Sequence, residues 1–142
     1  RNQPVAEVGG VLFVNDSKAT NAHAASSSLS AYDSVVWIVG GLFKGVDPAE
    51  LIKKHGTRLR AAVLIGSETE QLAKLFSELL PDTAISVISG DSVMKDAVLA
   101  AQTLAQPGDT VLLAPAAASM DQFRDYAHRG ESFVRAVGEL SA

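Results

Sequence analysis

The chain of 142 residues is 47% hydrophobic and 20% charged, with a formal net charge of −4 and a pI near 5.3. That composition excludes a disordered chain and supports a core of its own, and the acidic balance argues against nucleic-acid binding. The absence of cysteine removes thiol catalysis, Cys-ligated zinc and disulfides. One domain is expected, residues 1–142. No apolar run approaches the roughly 18 residues of a membrane span, and no signal-peptide pattern opens the chain. It begins at Arg1 rather than Met, which fits a piece of a longer protein.

In chain order, residues 5–8 read as a strand, joined by Gly9-Gly10, a hairpin-type turn, to a second at 11–14. Residues 21–32 carry a weaker helical pattern, diluted by three consecutive serines. Residues 35–39 are a continuous apolar strand. Asp47-Pro48-Ala49-Glu50 offers an N-cap, a proline at the first helical position and an acid in the first turn. A strand follows at 61–65. Ser67 with Glu70 suggests a capping box ahead of a helix whose stripe is Leu72, Leu75, Phe76, Leu79 and Leu80. After a strand at 85–88, Val93, Ala97, Ala101 and Leu104 form another stripe, stopped by Pro107-Gly108. A strand at 110–114 leads to the last helix, with Phe123, Tyr126, Ala127, Gly130, Phe133, Val134 and Val137 on its apolar stripe. This order implies an α/β fold. Its three layers hold a mostly parallel, Rossmann-like sheet of about six strands, with one antiparallel edge strand and helices on both faces.

In such sheets ligands bind beyond the carboxyl ends of the strands. The loops there are unusual. Asp16 and Lys18 follow the second strand, Lys44 sits among glycines after the third, and small residues precede Ser119 after the last. Small residues let backbone N–H groups approach a ligand, and lysines favour an anion. Plainer roles exist for each: a turn cap for Asp16, a solvated Lys18, a capping box of Ser119 with Gln122, and a core position for Tyr126. His23, His55 and His128 lack metal-ligand spacing. No G-x-G-x-x-G, no phosphate loop and no G-x-S-x-G elbow is present.

Three segments, DSKATN at 16–21, GGLFKG at 40–45 and APAAASMDQFRDYAHRGESF at 114–133, together resemble the C-terminal domain of the Mur ligases. The branch that adds D-glutamate is nearest, because related ligases carry a histidine where this chain has Lys18. The chain departs from the family's usual pattern at Phe43, Ala114, Ala117 and Tyr126. The resemblance implies a cytoplasmic, three-domain enzyme of peptidoglycan precursor synthesis. Such an enzyme uses ATP and Mg²⁺ to activate the carboxylate of UDP-N-acetylmuramoyl-L-alanine as an acyl phosphate, which D-glutamate then attacks. It further implies that the N-terminal and central domains of the same chain hold the UDP-sugar, the phosphate loop and the metal ligands, so this chain alone would be inactive and binds no metal. By resemblance, Arg1 and Asp16 face ATP and Lys18 stands beside the reacting groups. Thr20, Lys44, Ser119, Met120 and Tyr126 hold D-glutamate. A C-terminal domain of another Mur ligase, a folylpolyglutamate synthase-like ligase, or a non-catalytic α/β module binding a small anion or nucleotide are the alternatives. The missing glycine fingerprint argues against a nucleotide-dependent oxidoreductase.

Overall fold

The computed structural model describes residues 2–140. Strands β1 (Gln3–Val8) and β2 (Val11–Asn15) form an antiparallel hairpin. Both turn glycines, Gly9 and Gly10, have positive φ (59° and 81°), a conformation that costs an L residue but not glycine. The remaining strands are β3 (Val35–Gly40), β4 (Leu59–Ile65), β5 (Ala84–Val87) and β6 (Thr110–Leu113). The sheet order is β1-β2-β6-β3-β4-β5, and every pairing from β2 to β5 is parallel. The expected mostly parallel sheet with one antiparallel edge strand is therefore present.

Successive residues of a strand face opposite sides, and here both sides are covered. Val35, Trp37 and Val39 pack with α1 (Ala22–Leu29), α2 (Ala49–His55) and α3 (Thr69–Leu79) through Ala25, Leu29, Ile52, Leu72 and Phe76. Val36 and Ile38 pack with α4 (Val93–Leu104) and α5 (Tyr126–Leu140) through Met94, Ala97, Val98 and Phe133. The Trp37 and Phe76 rings meet edge to face with centroids 6.2 Å apart. At the opposite end of the sheet, buried Asp109 accepts from the Ser34 hydroxyl (2.7 Å) and the Gln106 N–H (2.8 Å) and pairs with Arg60. Burial alone would raise its pKa. The bonds from Ser34, Gln106 and Arg60 outweigh burial and hold the carboxyl below its usual range.

Several local expectations are corrected. The fifth strand is an edge strand with exposed ends, not a strand buried on both faces. The capping box of Ser67 and Glu70 does not form, because α3 begins at Thr69 and receives no side-chain cap. The Asp47 carboxylate does accept the Ala49 N–H at 2.9 Å, though α2 starts one residue beyond Pro48. The helix expected over 21–32 is limited to Ala22–Leu29, capped by Asn21. The last helix starts at Tyr126, so Phe123 precedes it and Ser119 does not cap it.

Candidate functional site at the carboxyl edge of the sheet

Parallel strands place all their carboxyl ends on one edge, and the three singled-out loops meet there. They are fastened backbone to backbone. The Ala116 N–H donates to the Ala19 carbonyl (2.9 Å), Gly40 N–H to the Pro115 carbonyl (3.0 Å), and Leu42 and Ala118 exchange two bonds of 2.9 Å each. Gly41 lies at φ 141°, and a Cβ there would collide with the Ala118 carbonyl oxygen. The small residues of this loop thus permit a close backbone approach. The Trp37 indole N–H fixes the exit of β6 by donating to the Ala114 carbonyl at 2.7 Å.

The guanidinium of Arg129 lies beneath these loops and is fully buried. It donates from Nε to Ser17 Oγ (2.8 Å), from Nη1 to the Ala117 carbonyl (3.0 Å) and from Nη2 to the Ser17 carbonyl (2.7 Å). Ser17 in turn donates its hydroxyl to the Tyr126 carbonyl at 2.7 Å. Burial pushes the Arg129 pKa down to about 10, against the opposing charge of Asp121, so the group stays protonated near neutrality. Gly130 follows for a packing reason. A Cβ there would press on the Asn15 amide and on Ser17 Cβ, 3.0 to 3.3 Å away. Two carboxylates complete the fastening. Asp121 Oδ2 accepts the Ser67 N–H at 2.9 Å, and Glu68 Oε2 accepts the Phe43 N–H at 3.1 Å.

The residues singled out in the sequence fall into two neighbouring groups. Asp16, Lys18 and Tyr126 line one cavity of about 770 Å³, together with Gln3, Glu131 and Arg135. Asp16 is buried, Lys18 exposed, and Tyr126 44% exposed, so its ring is not a core group. Lys44, Ser119 and Met120 follow the two residues of the Leu42–Ala118 bridge in the chain and do not line that cavity. Ser119 is buried, while Met120 and Lys44 are exposed. Half-buried Thr20 follows the residue bonded to Ala116 and so joins the two groups. Arg1 lies outside the described residues. No structural role was read for Arg129, Ser17, Glu68 or Asp121 in the sequence. For Arg129 a signal existed, because it stands four residues before Phe133 on the inward stripe of α5, where a solvated cation would not sit.

A doubly covered, mostly parallel sheet with three backbone-fastened loops at its carboxyl edge defines a three-layer, Rossmann-like α/β domain. The family model described as "Mur ligase, glutamate ligase domain" matches residues 1–117, and the chain belongs to that family. Among curated relatives, the UDP-N-acetylmuramoylalanine--D-glutamate ligase of Leifsonia xyli subsp. xyli is 56% identical over 92% of this chain and 26% of its own length. Those of Thermobifida fusca and Mycolicibacterium smegmatis are 50% and 41% identical over 96% of this chain, covering 30% and 34% of their own lengths. The chain therefore spans about a quarter to a third of the relatives it matches. A solved domain assigned as a UDP-N-acetylmuramate:L-alanyl-gamma-D-glutamyl-meso-diaminopimelate ligase from Haemophilus ducreyi superposes with a TM-score of 0.55 at 13% identity. That match covers 96% of this chain and 99% of the other, and the likeness is one of fold.

Proposed function

We propose that this chain is the amino-acid-binding domain of an ATP-dependent ligase. The full protein would join D-glutamate to the carboxylate of UDP-N-acetylmuramoyl-L-alanine during peptidoglycan precursor synthesis in the cytoplasm. One observation carries the reading. The three loops that follow β2, β3 and β6 are fastened together at one sheet edge, in a chain whose relatives over 92–96% of its length bear that ligase's name. Domain 1–142 then works with N-terminal and central domains of the same protein.

On this reading ATP transfers its γ-phosphoryl group to the substrate carboxylate and leaves as ADP. The D-glutamate amine attacks the acyl carbon, and inorganic phosphate leaves as the amide forms. Lys44, with the hydroxyls of Thr20 and Ser119, holds the two carboxylates of D-glutamate, since a dianion needs a cation and several donors. The family resemblance adds Met120 and Tyr126 to that pocket, Tyr126 from the neighbouring cavity that it lines with Asp16 and Lys18. Fixing the amino acid near the acyl phosphate supplies proximity, and Lys18 offsets phosphate charge as it shifts. Asp16, with Arg1, faces the nucleotide, and the cavity beside Asp16 falls within the range of small-molecule sites. Among the described residues no three His, Cys, Asp or Glu side chains gather to hold a metal. On this reading the ligands of Mg²⁺ belong to the central domain. No helix among the described residues is long and apolar enough to cross a membrane.

Phosphate release by the full-length protein tests the proposal, with ATP, UDP-N-acetylmuramoyl-L-alanine and a panel of amino acids. Turnover is expected with D-glutamate and not with L-glutamate, L-lysine or diaminopimelate, and none from residues 1–142 alone. Equal turnover with diaminopimelate, or any turnover by the isolated chain, refutes it.

A further inference from the structure

We infer that Glu68 is a positioning residue for Lys44, holding the backbone of the turn that carries its ammonium and thereby setting affinity for D-glutamate. The inference rests on the role proposed above for Lys44. Lys44 has φ 56° and Gly45 φ 80°, and the Val46 N–H closes the turn on the Phe43 carbonyl at 3.1 Å. A two-residue turn with both central residues left-handed suits Gly, Asn or Asp, and a lysine there is strained. Such strain persists only where the surroundings over-determine it.

The surroundings do so at two adjacent residues. Leu42 is fixed by both bonds to Ala118, and the next N–H, of Phe43, is taken by Glu68 Oε2 at 3.1 Å. The position of Glu68 makes this choice informative. It is the N-cap residue of α3, where a carboxylate ordinarily serves the helix's own N–H groups, yet it makes no such bond. Its acceptor is spent across a loop instead. The preceding Ser67 N–H is held by Asp121, one residue beyond Met120, so Glu68 ties the Lys44 turn to the frame that carries Ser119 and Met120. Glu68 also lines a cleft of about 260 Å³ with Phe43, Gly45 and Val46. Among the described residues no carboxylate lies within ion-pair distance of Lys44. Glu68 thus acts through the backbone and leaves the ammonium free for a ligand.

The test uses the full-length enzyme with Glu68→Ala, Glu68→Gln, Lys44→Ala and the double variant Lys44→Ala/Glu68→Ala. Glu68→Ala should raise the KM for D-glutamate about three- to tenfold and leave the KM for ATP in place. Glu68→Gln keeps a carbonyl acceptor and should stay within about twofold of the parent. The double variant should be no worse than Lys44→Ala alone, because the effect passes through Lys44. An unchanged KM in Glu68→Ala, equal damage from Glu68→Gln, or additive losses in the double variant overturns the inference. Hydrogen exchange over residues 41–46 needs no substrate. Faster exchange in Glu68→Ala than in Glu68→Gln upholds the anchoring even if D-glutamate proves not to be the substrate, and equal exchange overturns it.

Discussion

Replacing Arg129 by methionine keeps much of the side chain's volume but removes every donor beneath the loops. Three charge-assisted bonds are lost, to Ser17 Oγ, the Ser17 carbonyl and the Ala117 carbonyl, each worth about 1.5–3 kcal/mol in isolation. Burying the guanidinium opposes them. Its pKa of about 10 against an ordinary 12.5 corresponds to a cost of about 3 kcal/mol, which the variant no longer bears. The net loss for Arg129→Met is therefore about 1.5–6 kcal/mol, a range that includes the cost of breaking other buried charged networks. Arg129→Lys should fare little better, since it keeps a buried charge yet cannot reach acceptors on both loops with one ammonium. Denaturant unfolding of the chain, followed by far- and near-UV circular dichroism, measures the loss. A change below about 0.5 kcal/mol would refute the view that this side chain fastens the loops.

In the full-length enzyme, Lys44→Ala should lower kcat/KM for D-glutamate by about ten- to two-hundred-fold, the worth of one charged hydrogen bond to substrate. Steady-state kinetics with each substrate varied in turn decides it, and a rise confined to the KM for ATP would contradict the assignment. A separate pH effect should arise at His55, which is buried, shares a 2.9 Å bond with Ser26 Oγ and has no partner at Nδ1. Burial, then the charges of Arg58 and Lys54, lower its pKa. The unfolded chain consequently binds this proton more readily, and stability should fall as pH drops below about 6.5. Melting temperatures between about pH 8 and pH 5 should show the decline, and His55→Gln should flatten it across the range where histidine titrates. A wild-type midpoint that does not move would contradict this reading.

The strands were legible because a sheet covered on both faces leaves nearly continuous Val, Ile and Leu runs, as in Val35–Gly40. The hairpin was legible because Gly9-Gly10 has few other uses. The helix starts were harder to read. Ser67 and Glu70 have the spacing of a cap, but the Ser67 N–H is claimed by Asp121, and Glu68 is turned toward Phe43. Ser119 and Gln122 likewise have the spacing, yet the Ser119 carbonyl takes the N–H groups of Gln122 and Phe123 in a local turn, and the helix waits until Tyr126. In each case a contact distant in sequence overrode a local signal. The same distance hid Arg129, whose bonds to Ser17 span 112 positions. Its neighbours mark an inward stripe, but nothing local says what a buried cation would hold. Tyr126 and Val134 counted toward that stripe by spacing and are nevertheless exposed. The inward face of α5 is instead drawn by Arg129, Phe133, Ala136 and Val137.

The sixth strand in chain order, β6, lies between the second and the third. A nascent chain that ends before Asp109 can form a hairpin and a three-stranded ladder, but these share no hydrogen bonds. Their inner edges stay unpaired, the Trp37 indole lacks its acceptor at Ala114, and Ser34 and Arg60 lack Asp109. Open edges of this kind recruit other strands, and pairings so far apart in sequence form slowly. Completion of the sheet thus waits for β6, and truncation ahead of β6 leaves two sticky halves rather than a smaller domain.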